Sequence, residues 1–547
     1  MQLFHQSTGA LVYVAISLLM FVLVPASQAA EYYVDSKAGS DSNNGKSPAT
    51  PWKSLAPVRR ARFSAGDDLY LKAGSRFDDQ SLHVVWDGTE TDWVVVGCYK
   101  TNSSGAAIEC SGKDPKPELN GTLEVQCAKE GACVTDNSGA APAGRWNGLI
   151  QVDADYVQIK GVSVRDSAGY GVIFNGSKSQ QHHHFLAEDI DISHVFMGAL
   201  NVGRYYKHGA IRDVTVNEFG LCTYYRYSQC SNGVWPSGIG IADSMNAMIL
   251  VENSTVVEGY GEGLTCLRSS HVVIRGNKVG NVHSGTIYLD NCANSIVENN
   301  VLWGDKNGRW RANRAFSGIG IATEDYGDPT TASAVNNIVR NNLVTGLGQC
   351  LTASQEPISY KNGKKIGFHA YGNSCIGLLR VNVALWTDTA NVDQIVVENN
   401  IFYSPNSFEG SCTSGNNSGI QFNNNFWDGR SVPAKCRSKS DLSGDPILLN
   451  DEAIFSTLNS VNQPQPKHFA LSANSPVFSR GTSLDMVGNF EVGFGSLQNF
   501  VGDKRCKISL DPGTSYDFYC VKRQSPPSIG AIDRFSYPPT PPTILGQ

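Results

Sequence analysis

The sequence has few charged residues and no excess of positive charge. Only 17% of its 547 residues are Asp, Glu, Lys or Arg, and the formal net charge is −6. Such a chain lacks the positive field that attracts nucleic acids or anionic membranes, so no nucleic-acid partner is expected. Long apolar runs are absent after Val24, which excludes a later membrane-spanning helix.

The N-terminal segment predicts export. Its apolar core, LVYVAISLLMFVLV from Leu11, is short for a membrane span and is followed by the small-residue site ASQAA. We therefore predict a signal peptide over residues 1–30, cleaved after Ala29 or Ala30, and a secreted protein without a membrane span after cleavage. Residues 1–10 contain neither Lys nor Arg, so an uncleaved anchor is the alternative.

The 14 cysteines include no CxxC spacing of the kind that binds zinc. An even number of cysteines in an exported chain indicates disulfides, and their local grouping predicts seven pairs. These pairs are Cys98–Cys110, Cys127–Cys133, Cys222–Cys230, Cys266–Cys292, Cys350–Cys375, Cys412–Cys436 and Cys506–Cys520.

Glycine is abundant, at 55 residues, and short segments such as VENSTV, IRGNKV and VENNVL recur along the chain. The fourth position of these segments is occupied by Ser254, Asn277, Asn300, Asn342, Asn373, Asn400 and Asn425. Successive spacings are 23, 23, 42, 31, 27 and 25 residues, which is the length of one solenoid coil with insertions. We predict that the asparagine amides bond from coil to coil and satisfy buried turn groups.

A second repeated column lies upstream in each unit and alternates apolar and small residues. Its segments include SGIGIAD, GEGLTCL and SGTIYLD, and the alternation predicts β-strands of period two. We align the column on Ile241, Leu264, Ile287, Ile321 and Leu351. Repeated strands of this kind predict coils that bury their inward residues on one another.

These repeats, with the ends of the chain, resemble the secreted right-handed parallel β-helix proteins of the pectin-lyase-like superfamily. The opening YYVDSKAGSDSNNGKSPATPWKSL and the closing segments GDPILLN and PPSIGAIDRF are similar to those of that group. The resemblance implies an all-β, single-stranded solenoid with an N-terminal cap and disulfide-linked loops. We expect a monomer with a cap and irregular coils over 31–145, regular coils over 146–430 and a closing segment with a Pro-rich tail over 431–547.

Acidic residues on adjacent coils form the candidate catalytic site. Glu262, Asp290 and Glu324 fall in neighbouring repeats, and parallel strands roughly 4.8 Å apart bring such positions within reach of one another. His283 and Tyr288 belong to the same stretch and could transfer a proton. Period-two alternation points Tyr288 outward. The carboxylates also make Ca²⁺ a possible cofactor, although no metal ligand is assigned.

Two insertions rich in Tyr, Trp and Arg form the candidate substrate-binding surface. Aromatic faces stack on sugar rings, and Arg pairs with carboxylates or sulfates, so a polysaccharide partner, acidic in character, is expected. The alternative is that the aromatic side chains pack the loops onto the wall. The residues predicted to bind substrate are Tyr224, Tyr225, Arg226, Trp235, Arg309, Trp310, Arg311 and Arg314.

The predicted function is action on a polysaccharide, with a lyase or related enzyme on uronate-containing glycan favoured. Such an enzyme removes the C5 proton of a uronate whose carboxylate is neutralised by Arg or Ca²⁺. An inverting glycoside hydrolase and a non-catalytic glycan-binding protein are the alternatives. The sequence contains none of the DPHD, NTD, GHG, RIK or WIDH stretches of related β-helix enzymes, so no catalytic residue follows from the resemblance.

Overall fold

Three long β-sheets make up nearly all of the fold in the computed structural model. It describes residues 29–121, 147–177, 179–224, 235–304, 310, 317–327, 333–356, 363–386, 391–407, 409–415, 418–430, 432–449, 463–481 and 528–532. Among these residues, the helical elements are α1 (Leu221–Tyr224) and two 3₁₀ turns (Ala434–Cys436 and Pro466–Phe469). The first strands are β1 (Glu31–Val34), β2 (Asp68–Lys72), β3 (Arg76–Asp78), β4 (Leu82–Val84), β5 (Val94–Thr101), β6 (Ala107–Glu109), β7 (Glu118–Asn120), β8 (Gly148–Val152), β9 (Val157–Lys160), β10 (Ser163–Arg165), β11 (Tyr170–Phe174) and β12 (His182–Glu188).

The remaining strands continue the same short repeating pattern. The central ones are β13 (Asp191–Ser193), β14 (Leu200–Val202), β15 (Tyr206–Arg212), β16 (Thr215–Phe219), β17 (Ser237–Ala242), β18 (Ile249–Glu252), β19 (Thr255–Gly259), β20 (Glu262–Leu267), β21 (Val272–Arg275), β22 (Lys278–Val282), β23 (Ile287–Asp290), β24 (Ile296–Glu298) and β25 (Val301–Trp303). The last ones are β26 (Ser317–Thr323), β27 (Ala334–Arg340), β28 (Leu343–Thr345), β29 (Gln349–Gln355), β30 (Ile366–Tyr371), β31 (Ser374–Ile376), β32 (Val381–Trp386), β33 (Val392–Glu398), β34 (Ile401–Tyr403), β35 (Cys412–Ser414), β36 (Ile420–Asn423), β37 (Phe426–Trp427) and β38 (Leu442–Ser443).

From β7 to β37, each sheet pairs strands that are separated by two others in the chain. A 14-stranded sheet runs from β1 to β36, a 13-stranded sheet from β3 to β38 and an 11-stranded sheet from β4 to β35. Pairing within the described residues is parallel apart from the antiparallel contact of β6 with β5 and one isolated bridge. A chain that visits three sheets in turn and advances one strand per circuit is a parallel β-helix, as predicted.

The apolar side chains that point inward form one continuous core along the axis, from Tyr32 to Cys436. Because successive residues of a strand alternate between faces, each strand other than β6 and β38 contributes one to three of these side chains. The C-terminal segment adds a second cluster on the outside of the 13-stranded sheet, where Ile529 and Ala531 pack near Ile401. The outward faces of the sheets are thus left for functional side chains.

The predicted asparagine ladder is present and continuous. The Asn300 side-chain oxygen accepts the backbone N–H of Asn277 at 2.9 Å, and the Asn300 amide donates to Oδ1 of Asn342 at 2.9 Å and to the carbonyl of Ile274 at 3.0 Å. The same bonds recur at Asn342, Asn373 and Asn400 with their neighbours. The buried turn groups of each coil are satisfied by the next coil.

The residue before each ladder position has a left-handed backbone. It is Asn or Gly throughout, the residue types that adopt positive φ at the lowest cost. The φ angles lie between 49° and 64° at Asn253, Gly276, Asn299, Asn341, Gly372, Asn399 and Asn424. The recurring Asn-Asn and Gly-Asn pairs therefore encode a turn and the bond that joins it to the next coil.

An Asn300→Ala substitution is expected to lower the free energy of unfolding by about 3 kcal/mol. It leaves the buried N–H of Asn277 and the carbonyl of Ile274 without the partners they have now, and each such loss costs roughly 1–3 kcal/mol. Urea denaturation of the full chain measures the change, with the exposed Asn474→Ala as the matched control. Equal stability of the two variants would contradict a structural role for the ladder.

The strand register corrects one part of the predicted alignment. Leu264 and Ile287 pair as expected, but their neighbours in β17 and β26 are Ile239 and Ile319 rather than Ile241 and Ile321. The error is two residues, which keeps the same face inward because side chains alternate with period two. The segment SGIGIA offers two equivalent isoleucines, so its apolar pattern alone does not distinguish the registers.

Four of the predicted disulfides are present: Cys98–Cys110, Cys266–Cys292, Cys350–Cys375 and Cys412–Cys436. Cys222 is also disulfide-bonded, but Cys230 lies outside the described residues. The pairs Cys127–Cys133 and Cys506–Cys520, the signal peptide and the Pro-rich tail lie outside them as well. Within the part of the chain that is described, no helix is long and apolar enough to cross a membrane.

Candidate active site

The candidate site lies on the outward face of the 11-stranded sheet. Tyr288 pairs with Thr265 on β20 and with Gly320 on β26, while Ile287 and Leu289 point into the core as predicted. A Cβ at Gly320 would lie 2.9 Å from Cδ2 of Tyr288, which is too close for a normal contact. Glycine at this position therefore makes room for the tyrosine ring to lie over β26.

Hydrogen bonds join the end of β23 to the turn after β26. The Tyr288 hydroxyl donates to Oε1 of Glu324 at 2.5 Å, and the Asn291 side chain accepts the backbone N–H of Glu324 at 2.8 Å. The Tyr326 hydroxyl bonds to Oδ2 of Asp290 and lies 3.4 Å from Oε2 of Glu324. Two carboxyl groups thus share the hydroxyl of one tyrosine.

Asp290 has the electrostatic properties of an acid–base group. It is 3% exposed, and burial, with a further contribution from the charge of Glu324, raises its pKa to about 7. Its Oδ1 atom is buried and accepts no hydrogen bond from the described residues. A carboxyl group in this environment keeps its proton at pH values below about 7, where an ordinary Asp is ionised, and can donate it.

Glu262 completes the carboxyl cluster. Although the residue is half-buried, its carboxyl group is enclosed, and this desolvation with the charges of Asp290 and Glu324 raises its pKa well above the ordinary range. Burial and the same negative charges raise the pKa of the Tyr288 hydroxyl. The structure therefore brings together four of the five residues predicted to be catalytic.

A positive side chain borders the cluster. The guanidinium of Arg268 lies 4.4 Å from the centre of the Tyr326 ring, within the range of a cation–π contact. Arg268 is also paired with Asp243 at 2.7 Å, and Asp243 contacts Arg204 at 2.8 Å. The position of Tyr326 between the carboxyl groups is thus supported from behind by an ion-paired arginine.

His283, the fifth predicted catalytic residue, lies in a neighbouring aromatic cluster. Its ring stacks on Tyr260 at 4.0 Å, and Nδ1 is 2.6 Å from the carbonyl oxygen of Trp310. His283 is 2% exposed, and these contacts make it a support for the surrounding loops, while its role in proton transfer stays a prediction.

Two aromatic residues predicted to bind substrate are packed inside this cluster. Trp310 is 2% exposed, donates to Glu258 at 2.7 Å and contacts the ring of Tyr224 at 4.6 Å. Its ring has no open face for a sugar, so the packing alternative is correct for Trp310. Trp235, by contrast, is 38% exposed and donates a hydrogen bond to Glu262. The remaining predictions, Tyr225, Arg226, Arg309, Arg311 and Arg314, lie outside the described residues.

The carboxyl cluster is less compact than a metal-binding group. Among the described residues, the His, Cys, Asp and Glu side chains with ligand atoms within 4.8 Å of one another are Asp87, Asp155 and His182, on distant coils. Glu262, Asp290 and Glu324 offer the oxygen atoms that Ca²⁺ prefers, but Asp290 retains a proton near neutrality. Calcium binding at this site stays a prediction.

The sequence model of the family described as "Right handed beta helix region" matches residues 147–344. This segment includes the strands that carry Tyr288 and Asp290, and its description agrees with the three-sheet topology. The chain is a right-handed parallel β-helix.

Known proteins resemble this β-helix to different extents. A lacto-N-biosidase from Bifidobacterium longum subsp. longum is 46% identical over 55 residues, which span 10% of this chain and 3% of that relative. XylC, solved in complex with xylose, superposes with a TM-score of 0.56 at 12% identity over 92% of this chain and 98% of XylC. A GH136 lacto-N-biosidase from Eubacterium ramulus aligns over 72% and 67% of the two chains at 15% identity, with a TM-score of 0.45. The XylC superposition supports the β-helix fold.

Sequence reasoning missed two residues of the site, Tyr326 and Arg268. Tyr326 lies two positions after Glu324 in the segment TEDYGD, so its proximity to the cluster could have been inferred. Arg268 directly follows Leu267, the residue that pairs with Asp290. Finding it required the register of the strands, which apolar alternation alone does not determine.

Proposed function

We propose that this β-helix is a retaining glycoside hydrolase of a neutral glycan, with Asp290 as general acid and Glu324 as nucleophile. One observation carries the proposal: a buried carboxyl group with a pKa raised to about 7 shares a tyrosine hydroxyl with a second carboxyl group. Glycosidic bond cleavage uses two such groups in different environments.

The spacing of the two carboxyl groups favours retention of the anomeric configuration. Because both contact the Tyr326 hydroxyl, two hydrogen bonds in series of roughly 3 Å each place their nearest oxygens within about 6 Å. Retaining enzymes hold their carboxyl groups roughly 5–5.5 Å apart, whereas inverting enzymes need roughly 6.5–9.5 Å to admit a water molecule. The inverting mechanism predicted from the sequence as an alternative is therefore less well supported.

The reaction proceeds in two steps at these atoms. Asp290 donates its proton to the glycosidic oxygen as an oxygen of Glu324 attacks the anomeric carbon and the leaving sugar departs. The ionised Asp290 then takes a proton from a water molecule that displaces Glu324 and releases the product. The Tyr288 hydroxyl, 2.5 Å from Oε1 of Glu324, holds the nucleophile in position.

The uronate lyase favoured by the sequence is the second candidate. Tyr288 and Arg268, residue types that a lyase uses, both border the carboxyl cluster. However, the raised pKa of Tyr288 opposes its ionisation as a base, and the charge of Arg268 is already paired with Asp243. The carboxylate of Glu324, which the mechanism requires to be ionised, also repels a uronate carboxylate, which favours a neutral substrate.

Two further observations support carbohydrate as the substrate and export of the protein. The proteins compared above include a lacto-N-biosidase and a protein solved with xylose. Disulfides form and persist mainly outside the cytosol, so the four described bonds support a periplasmic or extracellular location.

A substrate screen of the purified mature protein tests the proposal. Xylan, galactan, glucans and lacto-N-type oligosaccharides are compared with alginate and pectate, with and without Ca²⁺, while reducing ends and unsaturated uronate absorbance are followed together. The expected result is an increase in reducing ends without unsaturated uronate absorbance. Proton NMR should show that the released sugar has the same anomeric configuration as the cleaved bond. A rise in both reducing ends and absorbance on a uronate polymer would establish the lyase. No change in either signal on any glycan would contradict both the hydrolase and the lyase proposals.

The pH dependence of kcat/KM is expected to report Asp290. Because a general acid must be protonated, activity falls as pH rises through the Asp290 pKa of about 7. The hydrogen bond from Tyr326 lowers this pKa, so Tyr326→Phe is expected to move the alkaline limb to higher pH. The pH–rate profiles of wild type and variant give both values. An alkaline limb unmoved in Tyr326→Phe would argue against Asp290 as the acid.

A further inference from the structure

The outward row that contains Asp290 continues toward the C-terminal coils. Strand pairing places Asp290, Ala322, Ser354 and Trp386 side by side on β23, β26, β29 and β32. Since parallel neighbours are roughly 4.8 Å apart, Trp386 lies about 14 Å from Asp290 along the β-helix axis. Both residues are on the same face of the same sheet.

Trp386 is solvated to an unusual degree for its size. It is 51% exposed, the largest exposed fraction among the tryptophans of the described residues. Ala322, which is 1% exposed, and Ser354, which is partly exposed, lie between it and Asp290. Single exposed apolar residues are common on protein surfaces, and Ile108 on β6 is one example at 42%. Trp386 differs from Ile108 because it shares a strand register with the proposed general acid.

A second exposed tryptophan lies on the other side of the carboxyl cluster. Trp235, which precedes β17, is 38% exposed and donates a hydrogen bond to Glu262. β17 is two strands before β23 in the sheet, and β32 is three strands after it. The two indoles therefore lie on opposite sides of Asp290 along the direction of the axis.

We propose that Trp386 is the platform of a remote sugar-binding subsite, and that the substrate is an extended glycan lying across the strands. This inference rests on the proposed function, which supplies the point of cleavage. The C–H face of a sugar ring stacks on the flat indole, while Asp290 acts on a bond several sugar residues away. A monosaccharide or disaccharide is too short to reach both positions, so the subsite selects longer chains.

Binding without turnover tests the subsite. Wild type, Trp386→Ala, Trp386→Phe and the matched control Ile108→Ala are run in native gels containing xylan, galactan or hydroxyethylcellulose. The polysaccharide that slows the migration of wild type is the one that it binds. Trp386→Ala is expected to bind this polysaccharide about tenfold more weakly, because an aromatic contact of roughly 1–1.5 kcal/mol is lost. Trp386→Phe keeps an aromatic face and is expected to retain most of the binding, and Ile108→Ala should match wild type.

Kinetics on an oligosaccharide series separates this inference from the proposed function. For Trp386→Ala, KM should rise on the hexamer and stay unchanged on the dimer, with kcat preserved on both. Equal binding by Trp386→Ala and wild type overturns the subsite even if the β-helix is a hydrolase. Absence of wild-type binding to every polysaccharide overturns it as well. Weakened binding in the variant without cleavage by any form retains the subsite and rejects the hydrolase.

Discussion

Replacement of Asp290 by Asn is expected to lower kcat/KM on the cleaved glycan by roughly a thousandfold, the contribution of a well-placed general acid. Asn has the same shape and cannot donate a carboxyl proton to the leaving oxygen. Initial rates at pH 6 compare the variant with wild type. Asp393→Asn, which removes an exposed carboxyl group on the 14-stranded sheet, is the matched control and should retain full activity. Full activity in Asp290→Asn would reject the proposed mechanism.

The same variant is expected to unfold at a higher temperature than wild type near pH 8. The pKa of Asp290 is about 7 in the folded protein and near 3.8 ordinarily, so the folded state binds this proton more tightly. The free energy of unfolding therefore falls as pH rises between about 4 and 7. Above that range Asp290 is ionised, and its buried charge lowers the free energy of unfolding by the full amount. Asn avoids this cost. Melting curves at pH 5 and pH 8 test the sign of the difference in melting temperature between the variant and wild type. They also show whether a loss of activity in the variant is due to unfolding.

Replacement of Arg340 by Met is expected to lower the free energy of unfolding by about 3–5 kcal/mol, the cost of leaving a buried charge without its partner. Nε of Arg340 is 2.6 Å from Oε2 of Glu298, and both side chains are less than 5% exposed. Arg340 also donates to the Tyr371 hydroxyl at 3.0 Å. The variant leaves Glu298 enclosed on the outward face of the 14-stranded sheet.

Urea denaturation compares this variant with Arg380→Met, in which an exposed pair with Glu409 is broken. The exposed pair should contribute less than about 1 kcal/mol, because solvent screens it. A double variant with Glu298→Leu and Arg340→Leu is expected to recover much of the loss, since no unpaired charge is left. Similar losses in the two single variants would show that burial does not determine the contribution of these pairs.

The sequence carries most of the information about the fold. The ladder position from Asn277 to Asn425 recurs in the chain because every coil needs the same turn, and the asparagines from Asn277 to Asn400 make the same bonds. The sequence does not determine whether Ile239 or Ile241 pairs with Leu264, because both isoleucines fit the pattern of inward apolar residues. Local repetition is thus visible in one sequence, whereas the choice between equivalent positions depends on contacts between coils.

The site was predicted less completely than the fold. Glu262, Asp290 and Glu324 were found because acidic residues on adjacent coils must lie near one another. Trp310 was misassigned, because composition does not distinguish an aromatic ring that covers a loop from one that faces solvent. Trp386 was overlooked, since a single tryptophan at the end of a strand has no pattern in the sequence.

The ladder has a consequence for how this protein can diverge. The coil between Asn300 and Asn342 is 42 residues long and contributes Glu324 and Tyr326, while the preceding coil has 23 residues. Their amide bonds are nevertheless alike, at 2.9 Å and 3.1 Å. Loops can therefore lengthen, shorten or be exchanged between ladder positions without a change in the scaffold. New substrate specificities can arise by exchange of whole loops, and libraries that vary the segments between the asparagines should yield folded proteins at high frequency.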